Sequence, residues 1–386
     1  VDLLDDACSA ELCSVFCALA DAHLILGEHE AARSSCDSLL FHAALVSAPQ
    51  WAGAAFLRIG RMASGHGRYD EASEPLEEAL SLFESAGELG GVADCLDEMG
   101  RIHWYRGVNS SYREALSSFM KALSLRRKQQ NTLKIALSLT NIGNIHLSRG
   151  HIEEAREAFQ EALLLRRAND DRLGLAQTLS GMGLVHFACG RTGDAEKLWR
   201  EGLAFASEVG GRELSAIMQE RLGEAALQQG RVKDAEVLLG AAFDTASDLN
   251  DRRTQASCLR NKARLAARRQ HWERALMLSR ESEEMAIATG GKQILGSCLA
   301  ARGEILSDML KQGIATEGKD LHDVEKDASA AFQRASVYFE EMGDMLGLGR
   351  VLEAYGAFLQ ERGVANKARK LLARAKKVRS AFSEQA

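Results

Sequence analysis

Proline is almost absent from this sequence, because only Pro49 and Pro75 occur among its 386 residues. Proline breaks helices, so its scarcity favours helix along nearly the whole chain. Long apolar runs are missing too: the best candidate, 41–57, is interrupted by Pro49 and Gln50. No segment therefore reaches the roughly 18 apolar residues of a membrane-spanning helix, and no signal peptide is visible. We expect no membrane span.

Motifs that carry chemistry are also lacking. The sequence has no G-x-x-x-x-G-K-[ST] nucleotide loop, no G-x-S-x-G nucleophile turn and no H-E-x-x-H metal motif. Its net charge of −6 is small for this length and gives no general basis for binding nucleic acid. We predict a protein that is not an enzyme, has no cofactor or metal, and binds neither nucleic acid nor membrane.

The eight cysteines are scattered singly through apolar contexts. This usage is typical of reduced thiols that serve as small apolar side chains, and it predicts a cytoplasmic protein. Cys8, Cys13 and Cys17 lie near one face of the first helix with His23 beyond them, but no matching second pair has the spacing of a zinc site. We interpret them as structural.

The sequence does contain one pattern that repeats many times. A glycine ends the first of two apolar-periodic segments in each repeat. The series runs Gly27, Gly67, Gly107, Gly150, Gly190 and Gly230, and Gln270 occupies the next position. The steps are 40 residues, apart from one of 43 that the extra residues in 107–112 explain. A repeat of this length indicates a stacked array of supersecondary units.

A column of alanines confirms the register of the second segments. It comprises Ala72, Ala115, Ala155, Ala195, Ala235, Ala275, Ala328 and Ala368. The step from Ala275 to Ala328 exceeds the period by 13 residues, which we place as an insertion at 311–323. The last helix, 365–382, has one apolar face and one strongly basic face, as expected of a solvated cap on an array end.

Each repeat is predicted to be a pair of helices. Apolar and small residues recur at helical spacing in 139–146, and Gly150 supplies a left-handed residue that ends this helix. The second helix runs from about Ile152 to Arg167, with Ala155, Phe159 and Ala162 on one stripe. A single hairpin cannot bury that stripe, so neighbouring pairs must stack. We predict an all-α solenoid of about nine helix pairs, forming one array over 1–386.

This pattern resembles the tetratricopeptide repeat family. The resemblance rests on Leu139, Ile142–Gly143, His146, Gly150, Ala155, Phe159 and Ala162, and it recurs over nearly the whole chain. The 40-residue unit is similar to the subclass of Leu-Gly-Asn-rich adaptors and of helical regulatory regions in large bacterial kinases and ATPase-type transcription regulators. Ile142–Asn144 fits that triplet, whereas the equivalent triplets elsewhere depart from it. The resemblance implies a right-handed superhelix whose first helices line a concave groove.

Mapping the family's groove positions onto this chain gives the candidate partner-binding residues. They are Arg61, Arg101, Thr140, Asn141, Asn144, Glu224, Arg260, Arg264 and Arg268. The three last arginines share one helical face, and 251–274 holds eight basic and two acidic residues. Such a face suits an acidic peptide or a phosphate, although a solvated charged face has the same pattern. The amide of Asn144 suits an extended peptide backbone, or it is a polar surface group.

One column of histidines also has two interpretations. His23, His103, His146 and His186 all lie three residues after the small-residue position. Histidine is a common metal ligand and pH switch, but no carboxylate or cysteine recurs with these residues at ligand spacing. We favour packing and leave their role open.

Two functions fit the pattern. The first is a non-catalytic interaction module that captures a peptide or helix of a partner protein in the groove. The second is a ligand-sensing regulatory segment of a larger bacterial kinase or ATPase-type transcription regulator. The chain begins with Val1 rather than with Met. We therefore expect it to be a segment of a longer protein, in which it is tethered to another domain.

Overall fold

The computed structural model describes the backbone of residues 2–65, 67–106, 111–316, 318 and 320–383. All regular structure in these ranges is helical, which confirms the predicted all-α fold. The first nine helices are α1 Asp2–Leu26, α2 His29–Leu45, α3 Pro49–Gly65, α4 Tyr69–Ser85, α5 Leu89–Arg106, α6 Ser111–Lys128, α7 Thr132–Arg149, α8 Ile152–Ala168 and α9 Arg172–Ala188. The remainder are α10 Thr192–Glu208, α11 Arg212–Gln228, α12 Val232–Asp248, α13 Arg252–Arg268, α14 Trp272–Ala288, α15 Lys292–Lys311, α16 Leu321–Met342, α17 Met345–Glu361 and α18 Ala365–Ser383.

The chain divides into two compact units. Unit 1 comprises Val1–Arg106 with Arg113–Ser138, and unit 2 comprises Gly107–Tyr112 with Leu139–Ala386. Within each unit an odd-numbered helix packs against the even-numbered helix that follows it, and consecutive odd-numbered helices also touch, as α11 touches α13 and α13 touches α15. Each unit is therefore a stack of helix hairpins. None of the helices in the described part of the chain is long and apolar enough to cross a membrane.

Left-handed residues end the first helices where the repeat predicts them. Gly150 has a φ of +79°, and Gln270, which replaces the glycine one period later, also has a positive φ of +61°. Gly107 of the predicted series lies outside the described residues. A second set of left-handed residues ends the second helices: Ser47, Gly87, Gln130, Asp170, Gly210, Asn250, Gly290 and Gly343. The sequence pattern missed this set because only half of its members are glycine.

The core pairs small residues of one helix with large residues of its neighbours. Phe159 of α8 is fully buried. A Cβ atom on Gly143 of α7 would lie 2.8 Å from its ring, and one on Gly181 of α9 would lie 2.5 Å from it. Glycine at both positions therefore lets three helices close around one aromatic ring. Trp199 fills the same role beside Gly183.

The insertion predicted at 311–323 lies in a region where the helices are longer than elsewhere. Helices α15 and α16 have 20 and 22 residues, whereas most others have 17, and the connection between them is 312–320. Helix α18 is the last helix of unit 2. Its Leu372 packs against Gly356 of α17, and Ala368 and Ala375 are buried, while Lys370 is exposed.

Candidate functional site

The predicted site residues are divided between the two units. In unit 1, Arg61 and Arg101 both reach Glu98, which is only 3% exposed. The Nη1 atom of Arg101 donates to Oε2 of Glu98 at 3.2 Å, and Nε of Arg61 lies 3.8 Å from the same oxygen. Ser64 Oγ donates to the other oxygen of Glu98 at 2.5 Å. Both arginines therefore compensate a buried carboxylate within the stack.

Beside Glu98 lies a buried arginine that the sequence analysis did not single out. Arg126 of α6 is 2% exposed and donates to Asp94 at 2.7 Å, to Ser138 Oγ at 2.6 Å and to Asp97. Burial raises the pKa of Asp97 to about 6, although Arg126 opposes this shift. Arg126 lies in a basic run that suggests a solvated helix end, and only the folded chain brings it to the aspartates of α5.

In unit 2 the three polar residues predicted on α7 have different surroundings. Thr140 is fully buried, with its Oγ1 atom 3.0 Å from Oγ1 of Thr178 on α9. Asn141 is 6% exposed. Asn144 is half-buried, and its amide hydrogen-bonds to none of the described residues. Thr140 thus joins neighbouring helices, whereas Asn144 keeps an accessible amide.

Arg260 and Arg264, two of the residues predicted on α13, are half-buried and interleaved with carboxylates. Arg260 Nη2 lies 3.2 Å from both Glu220 Oε1 and Glu224 Oε2 of α11. Arg264 Nη2 lies 2.9 Å from Glu304 Oε2 of α15, and its Nη1 lies 3.5 Å from Glu224 Oε1. We call these five residues the charge ladder. The basic stretch 251–274 therefore presents no uncompensated basic surface at Arg260 and Arg264, because the acids come from the repeats on either side.

The ladder is electrostatically coupled. Burial would raise the pKa of Glu224, but Arg260 and Arg264 outweigh it and the pKa is lowered. Burial does raise the pKa of Glu220, against the pull of Arg260. Asn261 Nδ2 donates to Glu220 at 2.8 Å and is fully buried. Arg268, two turns further along α13, is exposed and lies outside the ladder.

An arginine from the far end of unit 2 reaches the same surface. Arg350 of α17 places its Cζ atom 5.6 Å from the ring centroid of Phe187 on α9. It also interacts electrostatically with Glu224 of α11 and with Arg264 of α13. One turn earlier, Leu346 packs against the apolar cluster that contains Leu179. The inner faces of α9, α11, α13 and α17 therefore converge within unit 2. The sequence analysis missed Arg350 because it lies one turn before the mapped groove positions, as Ser257 does on α13.

Acidic side chains lie near several histidines of the column in the folded protein, although no carboxylate recurs at a fixed spacing in the sequence. His103 Nδ1 lies 3.2 Å from Glu114, and His186 Nδ1 lies 4.0 Å from Asp194, both at the start of the following helix. His146 instead lies 3.4 Å from His151, and burial lowers its pKa. Burial likewise lowers the pKa of His103 and of His186. These contacts join the two helices of a hairpin.

Among the residues that the structure describes, no cluster of three or more histidine, cysteine or acidic side chains is placed to hold a metal ion. Cys13 and Cys17 are free thiols, and desolvation raises the pKa of both. The side chain of Cys8, which the sequence analysis grouped with them, lies outside the described residues.

Two family models match parts of the chain. A model described as tetratricopeptide repeat matches residues 134–208, and one described as anaphase-promoting complex subunit 5 matches residues 224–307. No curated protein matches the chain. The repeats within 134–208 are thus of the tetratricopeptide type, as their spacing predicted.

Solved structures with the same fold cover most of the chain. A Rap protein complexed with competence and sporulation factor is 12% identical and has a TM-score of 0.69, with 99% of this chain and 100% of that chain covered. The apo quorum sensor NprR of B. thuringiensis is 13% identical with a TM-score of 0.55, covering 95% and 98%. The Rap conjugation regulator of plasmid pLS20, in complex with the Phr* peptide, is 15% identical with a TM-score of 0.60, covering 81% and 77%.

Proposed function

We propose that this tetratricopeptide-repeat protein is a non-catalytic module that binds a peptide segment of a partner on the inner face of unit 2. The observation that carries the proposal is the convergence of α9, α11, α13 and α17, which Arg350 marks by its approach to Phe187. A surface formed by four helices within one unit surrounds a ligand on several sides. Because packing and ion pairs already hold these helices, little ordering of the protein opposes binding.

The charge ladder supports this proposal as a scaffold. Arg260 and Arg264 are satisfied by the three carboxylates of the ladder, so their first role is to fix the spacing of α11, α13 and α15. We assign two polar groups that keep free hydrogen-bonding capacity to the same inner face. The amide of Asn144 on α7 and the hydroxyl of Ser257 on α13 are half-buried and hydrogen-bond to none of the described residues.

Both groups are suited to a peptide backbone. Ser257 lies one turn before Arg260 and two turns before Arg264, so it shares their face of α13. A hydroxyl and an amide each donate and accept hydrogen bonds, which matches the alternating N–H and C=O groups of an extended chain. Asn144 and Ser257 therefore offer the inner face of unit 2 two points at which an extended peptide can be held.

The neighbours support a peptide as the ligand. Two of the solved structures are Rap proteins in complexes, one with competence and sporulation factor and one with the Phr* peptide. At such low identity the likeness extends to the fold and not to the residues that contact the ligand. The inner-face residues of this chain are therefore our own assignment. Within the proposal Asn144 and Arg268 contact the ligand, whereas Thr140 and Asn141 position α7 from the interior. Arg260, Arg264 and Glu224 fix the spacing of the helices that form the inner face. Arg61 and Arg101 are assigned to the compensation of Glu98 in unit 1.

Selection of short random peptides displayed on phage tests this function. We expect the purified protein to enrich a common sequence, and the variant Ser257→Trp to lose the enriched peptides because the indole fills the inner face. The matched control is Val237→Trp, at a position of α12 that is 71% exposed, which should bind as the wild type does. Circular dichroism checks that both variants keep the helical fold. Failure to enrich any peptide, or equal loss in both folded variants, would contradict the proposal.

A sensor segment is the second candidate, and one neighbour favours it. The STAND ATPase PH0952 of Pyrococcus horikoshii, which carries a tetratricopeptide repeat sensor, is 11% identical with a TM-score of 0.51. This chain covers 52% of that protein, and 89% of this chain is covered. Thermal shift against a panel of metabolites separates the two functions. A large rise in melting temperature with one metabolite, without peptide enrichment, would favour the sensor.

A further inference from the structure

Arg350 is exposed, and its guanidinium has no hydrogen-bond or ion-pair partner among the described residues. It lies over the ring of Phe187, within the distance at which an aromatic ring attracts a cation. A guanidinium carries five N–H donors at its edge, and a contact with an aromatic face leaves that edge available. Arg350 is thus held by Phe187 while it keeps its capacity to bind an anion.

The carboxylates near Arg350 are already engaged. Glu224 accepts hydrogen bonds from Arg260 and Arg264. Asp344 caps the start of α17, where it accepts from the Gly347 backbone at 2.8 Å and from Gln293 at 3.1 Å. These acids therefore leave the donor edge of the guanidinium of Arg350 unused.

The surroundings also disfavour an unpaired charge at Arg350. Desolvation lowers the pKa of Arg350, and Arg264 and Arg260 act in the same direction, whereas Glu224 and Asp344 oppose the shift. A carboxylate bound at Arg350 would supply the missing hydrogen-bond partner and stabilise the charged guanidinium.

We propose that Arg350, supported by Phe187, binds one aspartate or glutamate side chain of the peptide. This inference rests on the proposed function and adds the chemistry that the peptide must carry. Arg350 lies on α17, over the ring of Phe187 on α9, and it interacts electrostatically with Glu224 of α11 and Arg264 of α13. A peptide laid across α9, α11 and α13 passes Arg350, and we assign the group that reaches it to a side chain, with a C-terminal carboxylate as the alternative that the test separates. Glu224 and Glu304 would repel further carboxylates, which limits the requirement to one.

Parallel selections test the proposal. Displayed random peptides are selected against the wild type, Arg350→Gln and the control Arg334→Gln, which removes an exposed arginine of α16. We expect one acidic position to be enriched by the wild type and by the control but not by Arg350→Gln. The enriched peptide is then synthesised with its acidic residue, with the matching amide residue, and with an amidated C-terminus. Fluorescence anisotropy measures the affinity of each.

The expected result is a loss of about tenfold or more when the acidic side chain becomes an amide, for the wild type and not for Arg350→Gln. Arg350→Lys should show part of this preference for the acidic peptide over the amide peptide, since lysine keeps the positive charge but lacks the planar fork of arginine. An equal loss in both proteins, or a loss that follows only C-terminal amidation, would overturn the assignment while leaving peptide binding intact. Failure of every selection would instead overturn the proposed function and this inference together.

Discussion

Arg260 and Arg268 provide a matched pair that separates structural charge from surface charge. Both lie on α13, and the same substitution, arginine to leucine, applies to both. Arg260 is 13% exposed and is the shared partner of Glu220 and Glu224, whose side chains are 10% and 22% exposed. Removing it leaves two largely buried carboxylates without that cation. Breaking a buried pair from one side costs about 3–5 kcal/mol, and we expect about 3 because Glu224 retains Arg264.

Urea denaturation followed by far-UV circular dichroism measures the global effect. Stacked repeats do not always unfold in one step, so amide hydrogen exchange in α11 and α13 provides the local free energy of opening. The exposed Arg268→Leu should change stability by no more than about 0.5 kcal/mol. Equal stability of the two variants would refute the argument that Arg260 compensates buried acids.

A second substitution should change the stability in opposite directions in the wild type and in Arg260→Leu. Glu220→Gln keeps an oxygen that can accept from Asn261 but removes the negative charge. In the wild type it should destabilise the protein, since Arg260 loses a partner. In the Arg260→Leu background it should stabilise, because it neutralises a buried charge that has lost its cation. A destabilising effect in both backgrounds would show that the charge of Glu220 is not what Arg260 compensates.

Three further predictions follow from single positions. Gly143→Ala should destabilise the protein by about 1–3 kcal/mol in urea unfolding, because its Cβ atom would lie 2.8 Å from the ring of Phe159. Gly240→Ala has open space around it and should stabilise the protein by about 0.5–1 kcal/mol. Burial lowers the folded-state pKa of His146 below 6.5, so the unfolded chain binds more protons and stability should fall as the pH drops below about 6.5. His146→Phe should weaken that pH dependence. Cys189 is the exposed thiol among the described cysteines and should react first with a disulfide reagent in the native protein, and Cys189→Ser should abolish this fast phase.

The hairpin stack was predictable because its signals are local and repeated. Gly150 ends a helix by its left-handed backbone, and Gly143 leaves room for Phe159 a fixed distance along the chain. Each relation involves residues less than one repeat apart, so one sequence displays it many times. The turns at Asp170 and Asn250 escaped detection because non-glycine residues adopt the same left-handed conformation there.

The inner surface was less predictable, because charge compensation acts between repeats. Counting charges along 251–274 indicates a basic face, but Arg260 meets acids of the preceding repeat and Arg264 meets Glu304 of the following one. Arg126 was overlooked for the same reason, since Asp97 lies 29 residues before it. A count taken within one helix cannot show which charges are already neutralised.

Position on an inner helix face and availability to a ligand are therefore separate properties in this fold. A period of 40 residues places Glu224, Arg264 and Glu304 side by side, and opposite charges at such positions bind one another before any ligand arrives. Groups left without partners are those whose neighbours offer nothing complementary, as with the amide of Asn144 and the guanidinium of Arg350. Once the 13 additional residues before α17 are counted, Arg350 corresponds to Ser297 of α15 and Ser257 of α13, so the two preceding repeats carry no carboxylate at its position.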